Sequence, residues 1–193
     1  MKVLLVTPNV FTKEQCESII SLHTNWPENK GEIGDNENAR IDTDYRQCKV
    51  YEPPSSIPNS IPSWIIGRIC KTIYAANKEA FNFDLGKRNV EGKSAYFELK
   101  LLKYDPGGHY DLHIDIGEGT TSSLRKISFT LLLNDSYEGG KLTFDILPEL
   151  SENYPEIGAM IIFPSYLQHK VEPVTSGVRW SLVGWILGDK HFV

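Results

Sequence analysis

Val178-Arg179-Trp180-Ser181-Leu182-Val183-Gly184-Trp185-Ile186-Leu187 is dense in β-branched and aromatic residues and predicts a strand with two distinct faces. Alternation puts Arg179, Ser181, Val183 and Trp185 on one face and Trp180, Leu182, Gly184 and Ile186 on the other. An Arg and a Ser on the inward face of an apolar strand require an anionic partner, because a buried guanidinium left unpaired is costly. A planar fork of donors beside a hydroxyl suits a carboxylate, and a protein Asp or Glu would satisfy it as well as a ligand would.

Upstream of this strand lie further β-type runs at 95–104, 127–133, 141–147, 159–163 and 169–174, separated by Gly, Pro and Asn/Asp turns. That spacing predicts an antiparallel sandwich or jelly roll. The amino-terminal half is different. Val3-Leu4-Leu5-Val6 reads as a short first strand, too brief for a secretory segment. Phe11-Thr12-Lys13-Glu14-Gln15 predicts a helix start, with Thr12 as N-cap, Gln15 closing a capping box and Phe11 stapling onto Cys16. Ile19, Ile20 and His23 continue that face until Trp26-Pro27. A second helix opens at Pro62-Ser63 and carries an apolar stripe of Ile65, Ile66, Ile69, Ile73, Ala76 and Ala80 for packing on a sheet. Residues 28–43, rich in Asn, Gly, Asp and Glu, show no apolar period and are expected to be a mobile loop, either a lid or a disordered insertion.

The 193 residues therefore read as a single domain. Residues 1–94 would supply strands, supporting helices and the loop at 28–43, and residues 95–187 the β-rich core. Composition narrows the function. With 25 Asp and Glu against 20 Lys and Arg, a net charge of −5 argues against a nucleic-acid partner. No apolar run approaches the length of a membrane helix, so a cytoplasmic protein with no membrane partner is expected. Cys16, Cys48 and Cys70 are an odd, widely spaced set and read as reduced, buried small hydrophobes.

Two overlapping His-x-Asp pairs, His109-Tyr110-Asp111 and His113-Ile114-Asp115, share one extended stretch, where residues two apart project to the same face. Either pair presents an imidazole and a carboxylate together. A third ligand must be distant in sequence, and the downstream histidines are His169 and His191. Two imidazoles and one carboxylate on one face of an octahedral ion, with three positions open, is the arrangement of non-haem Fe(II) oxygenases.

Between Tyr96 and Trp185 the chain resembles the Fe(II)- and 2-oxoglutarate-dependent dioxygenase superfamily, specifically its prolyl 4-hydroxylase-like branch. The resemblance rests on the order and spacing of several elements. Tyr104-x-x-Gly107-x-x-Tyr110-x-x-His113-x-Asp115 comes first, then Arg125 leading a run to Leu133-Asn134, and Gly139-Gly140-x-Leu142-x-Phe144. Pro155-x-x-Gly158, Phe163-Pro164-Ser165, His169-x-Val171-x-Pro173-Val174, Gly177-x-Arg179-x-Ser181 and Trp185 complete it.

The resemblance implies a double-stranded β-helix (jelly-roll) core packed against the amino-terminal helices. It also implies His113, Asp115 and His169 as iron ligands, with His109 and Asp111 as bystanders at the rim. Arg179, Ser181 and Tyr104 fall where the family binds 2-oxoglutarate, and Arg125, Trp185 and Tyr110 where it lines the substrate pocket, although Trp185 would serve equally as core packing. Gly139-Gly140 reads as a tight turn. The implied cofactors are Fe(II), 2-oxoglutarate and O2, with ascorbate as a reductant. The implied reaction is oxidative decarboxylation of 2-oxoglutarate to succinate and CO2 coupled to hydroxylation of an unactivated C–H. Retention of Asp115, which halogenating relatives replace by a small residue, favours hydroxylation.

The expected substrate is a prolyl residue of a peptide or protein. The alternatives are a free amino acid or other small molecule, for which Arg125 would act as a clamp, and a non-catalytic cupin-like metal-binding module, which would have no use for Arg179 with Ser181. An arginine stands where collagen-type prolyl hydroxylases carry a lysine, so a secretory collagen enzyme is not expected.

Overall fold

The computed structural model describes residues 3–34, 39–56, 59–86, 89–90, 93–94, 97–146 and 154–192. The expected start of the core at Ala95, the start of the family resemblance at Tyr96, the end of the run at 147 and residues 35–38 of the expected loop lie outside them. The amino-terminal half contains Leu5–Thr7 (β1), Lys13–Ile20 (α1), Glu28–Lys30 (β2), Arg46–Gln47 (β3), Lys49–Tyr51 (β4) and Ser63–Ala76 (α2). Asn89–Val90 (β5) and Lys93–Ser94 (β6) pair with each other. The remainder is β-rich: Phe97–Tyr104 (β7), His109–His113 (β8), Arg125–Leu132 (β9), Tyr137–Gly139 (β10), Leu142–Phe144 (β11), Met160–Pro164 (β12), His169–Val171 (β13), Val174–Gly177 (β14) and Arg179–Leu187 (β15).

A seven-stranded sheet, ordered β1-β12-β9-β15-β7-β4-β2, is stacked on a four-stranded sheet ordered β11-β13-β8-β3. The pairings are antiparallel, as a jelly roll requires. The strand on which the sequence reading turned, β15, lies at the centre of the large sheet between β7 and β9. Its alternation holds. Leu182 and Ile186 join the core beneath the helices, while Arg179 and Ser181 are buried on the opposite face, toward the small sheet.

The outer face of the large sheet is covered by both helices. The Thr12–Gln15 capping box forms on α1, and Phe11 and Cys16 are both buried in the core it covers. Ile65, Ile69, Ile73 and Ala76 of α2 are buried at helical spacing against Leu99, Leu101, Ile127, Leu131, Met160 and Ile162 of the sheet. Each buried Ile or Leu contributes about 1.5–3 kcal/mol, so this stripe fixes the helix on the sheet. The next residue along each strand points the other way: Leu102, Tyr104, Ile161 and Phe163 pack with Leu142, Phe144, Val171 and Val174 between the two sheets. The site lies in that inter-sheet layer.

Three expectations need correction. The segment at 28–43 is not featureless, since Glu28–Lys30 is the edge strand paired with β4 and Ile33 bridges Arg40. Its apolar period is missing because an edge strand with every residue exposed needs none. Of the cysteines only Cys16 is fully buried; Cys48 and Cys70 are half-buried, and all three are free thiols. Asp115 is not on a strand with His113, because β8 ends at His113 and Asp115 sits on the bend just beyond.

Candidate metal centre

His113 and His169 are register partners on adjacent antiparallel strands, β8 and β13, so the sheet itself sets one imidazole beside the other. Asp115 reaches the same point from the bend, held by its N–H donating to the Ser165 carbonyl at 2.9 Å. His113 Nε2 lies 3.7 Å from Asp115 Oδ1, and His169 Nε2 lies 3.5 Å from Asp115 Oδ2. One ligand atom from each of the three residues falls within 4.8 Å of the others, and among the described residues this is the one such cluster of His, Cys, Asp and Glu.

The protonation states suit a cation. The Nδ1 atoms of His113 and His169 lie 2.7 Å from the Asp111 carbonyl and 2.8 Å from the Leu167 carbonyl. A carbonyl only accepts, so each Nδ1 carries a proton and Nε2 is the nitrogen left to face the shared point. Burial, with His169 alongside, pushes His113 well below the ordinary imidazole range, leaving it neutral. Burial works to raise the Asp115 carboxyl, but His169 and His113, then Ser128 and Trp185, hold it below the usual range as a carboxylate. Two imidazoles and one carboxylate, converging on one point, fit a facially bound divalent iron.

The triad opens on a cavity of about 490 Å³ between the sheets. Tyr104, Tyr110, Leu142, Phe163, Val183 and Trp185 line its inner part, and Asn29, Lys30, Glu32, Glu52 and Lys100 its mouth. Arg179 is 1% exposed and lies deeper than that wall, its guanidinium carbon 5.2 Å from the Tyr104 ring centre. Its Nη1 donates to Ser181 Oγ at 2.9 Å, while Nε and Nη2 meet no hydrogen-bond geometry among the described residues. Among the described residues no carboxylate takes up this fork, whose polar neighbours are the Tyr104, Tyr137 and Tyr154 hydroxyls; a buried guanidinium without a carboxylate is a site for an anion.

The 2OG-Fe(II) oxygenase superfamily description matches residues 99–187, which contain the triad and Arg179. That stretch, just under half of the chain, is where the similarity to the 2OG-Fe(II) oxygenase superfamily lies. A PKHD-type hydroxylase of Rippkaea orientalis is 41% identical over 92 residues, covering 46% of this chain and 41% of that protein. The match thus spans about two-fifths of the length of that curated relative. In fold, the chain is similar to a prolyl-4-hydroxylase of Pseudomonas putida, with a TM-score of 0.65 at 16% identity over 97% of this chain and 94% of that one. It is similar also to a prolyl hydroxylase of Trichoplax adhaerens solved with a hypoxia-inducible-factor peptide fragment, with a TM-score of 0.69 at 16% identity over 97% and 84%.

The remaining residues expected at the site fall in different places. Tyr110 stacks on His113, ring centres 3.5 Å apart, and burial pushes its hydroxyl up to about 12. Trp185 lines the cavity and is buried as well. His109 points away, its ring nitrogens each 3.0 Å from a carbonyl, of Gly107 and Asp44. Arg125 lines the cavity, but as no free clamp: its Nη2 lies 2.6 Å and its Nε 2.7 Å from Glu98 Oε2. Gly139 and Gly140 have φ of +71° and +58°, which a tight turn of this kind needs and glycine supplies freely.

Two residues at or beside the site escaped the sequence reading. Arg46 lies over Tyr110, 4.4 Å from the ring centre, and donates to the Glu32 carbonyl at 2.7 Å, tying the edge segment to the pocket. Glu98 shares the inner face of β7 with Lys100, Leu102 and Tyr104. Alternation counted back from Tyr104 would have found it; nothing local marks Arg46.

Proposed function

We propose that this chain is an Fe(II)/2-oxoglutarate-dependent dioxygenase that hydroxylates an unactivated C–H, a prolyl residue of a peptide or protein being the favoured substrate. The observation that carries the reading is the buried Arg179 fork, which meets no carboxylate among the described residues, set in the inter-sheet layer that also holds the His113, Asp115 and His169 triad. His113, Asp115 and His169 would hold the iron, and Arg179, Ser181 and Tyr104 the 2-oxoglutarate. Bound together with O2, these cofactors supply the oxidising power for hydroxylation, with succinate and CO2 as co-products. Ascorbate would serve as an auxiliary reductant.

The chain's own residues bind, orient and exclude water. The two imidazoles and the carboxylate would hold the ion, and the cavity beside them would admit cosubstrate and substrate. Val183, Leu142 and Phe163 keep the inner cavity apolar, which suits a hydrocarbon C–H. Tyr110, held between His113 and Arg46, and Trp185, with Arg125 over its ring, form fixed walls of the pocket. The Arg125–Glu98 pairing favours peptidyl substrates over free amino acids, because it uses the cation that would otherwise bind a free carboxylate. The names of the PKHD-type and prolyl hydroxylase relatives support the same direction. Asn29, Lys30, Glu32 and Gly34 form one wall of the cavity mouth, where the flanks of a peptide would lie.

Anaerobic addition of Fe(II) and 2-oxoglutarate should give a weak visible charge-transfer band, and proline-containing peptides screened by mass spectrometry should gain one oxygen with stoichiometric succinate. Iron-loaded protein without the band would point to a non-catalytic metal-binding module. Oxygen gain on free amino acids but on no peptide would replace the peptidyl reading.

A further inference from the structure

Asp115 lies on a bend beyond the end of β8, so the strand ladder does not hold its carbonyl. That carbonyl accepts instead from Arg125 Nη1 at 3.1 Å. The other side of the same guanidinium is directed at one atom, since Nε and Nη2 lie 2.7 and 2.6 Å from Glu98 Oε2. Its face covers Trp185, with Cζ 4.0 Å from the ring centre. The sheet explains the convergence. Trp185 on β15 is the register partner of both Glu98 on β7 and Ser128 on β9, so Glu98, Trp185 and Ser128 form one row across three strands. Ser128 and Trp185 are also the two neutral groups that help hold the Asp115 carboxyl low.

We propose that Glu98 and Arg125 are a positioning pair for the metal-binding carboxylate, with Arg125 anchoring the Asp115 main chain and the Trp185 indole while Glu98 aims and neutralises Arg125. Neither side chain touches metal or substrate in this role. The physical need is twofold. A metal-binding carboxylate on a bend has too few backbone constraints to keep its oxygens on target, and second partners of this kind set ligand geometry. A bare guanidinium this close would also repel a divalent cation, and Glu98 removes that repulsion. The pair thereby spends a cavity-lining cation on the metal ligand and leaves the cavity without a free charge at that end.

The inference rests on His113, Asp115 and His169 being the metal ligands, and its test does not depend on turnover. Mn(II) titration followed by electron paramagnetic resonance should show Glu98→Gln and Arg125→Lys weakening Mn(II) binding by roughly 10- to 100-fold, with a changed signal. The exchanged pair Glu98→Arg/Arg125→Glu discriminates further. It should regain thermal stability relative to the single charge reversals but not metal affinity, because a glutamate at 125 cannot donate to the Asp115 carbonyl. If Arg125 variants fail to fold, Glu98→Gln, which keeps the shape of the side chain, decides alone. A wild-type Mn(II) affinity and signal in Glu98→Gln, or an exchanged pair that regains metal affinity along with stability, would overturn the proposal. Wild-type protein that binds Mn(II) yet forms no succinate under any condition would overturn the hydroxylase reading and leave this one standing.

Discussion

His113 and His169 stand directly opposite each other on paired antiparallel strands, their ring centres 4.3 Å apart. Backbone register, rather than loop conformation, therefore brings together residues 56 positions apart in the chain. A one-residue slip of either strand would turn one imidazole to the other face. His113→Ala and His169→Ala should each abolish metal uptake and succinate formation, while His109→Ala should leave both intact. Metal titration of the three variants checks this, and loss of metal in His109→Ala alone would show the wrong overlapping pair to be the ligands.

Arg179→Ala removes the buried fork. A charged hydrogen bond contributes about 1.5–3 kcal/mol, or roughly 10- to 150-fold in Kd, so 2-oxoglutarate binding should weaken at least that much while Mn(II) affinity stays near wild type. Calorimetric titration of 2-oxoglutarate into metal-loaded protein measures it. An unchanged Kd would remove Arg179 from the role.

Gly140 gives Arg179 its room. A Cβ at this position would come 2.9 Å from Arg179 Cδ and 2.8 Å from Val174 Cγ2, on a backbone at φ +58°. Gly140→Ala should thus weaken 2-oxoglutarate binding without touching any iron ligand, and should lower thermal stability. A variant that loses stability but binds 2-oxoglutarate as wild type would show that the guanidinium does not depend on this contact.

His109 should titrate above its usual value of 6.5, because the Gly107 carbonyl, opposed by partial burial and helped by the Asp44 carbonyl, favours the form with protons on both nitrogens. A folded-state pKa raised above the unfolded one contributes stability that is fully present below about pH 6.5 and is lost as pH rises through the folded value. NMR titration of the ring, and the flattening of that pH dependence in His109→Ala, would reveal it. A His109 pKa at or below 6.5 would contradict the geometry.

The sequence by itself determined the elements whose signal is local. Period-2 alternation at 178–187 assigned both faces of the central strand, helical spacing identified the buried Ile65, Ile69 and Ile73, and Thr12 with Gln15 marked a capping box that forms. The resemblance carried by the motifs from Tyr104 to Trp185 also singled out His113 over His109, and the fold brings His113, Asp115 and His169 to one point. What tertiary structure decided depends on pairing between distant segments. Whether Arg179 met a protein carboxylate or was left for a ligand could be read only once the fold showed which side chains reach it. Whether Arg125 was a free clamp depended on Glu98, 27 residues away in sequence. The same holds for the exposed edge strand Glu28–Lys30: its stabilising partner is the backbone of Lys49–Tyr51, and main-chain hydrogen bonds leave no pattern in side-chain identity.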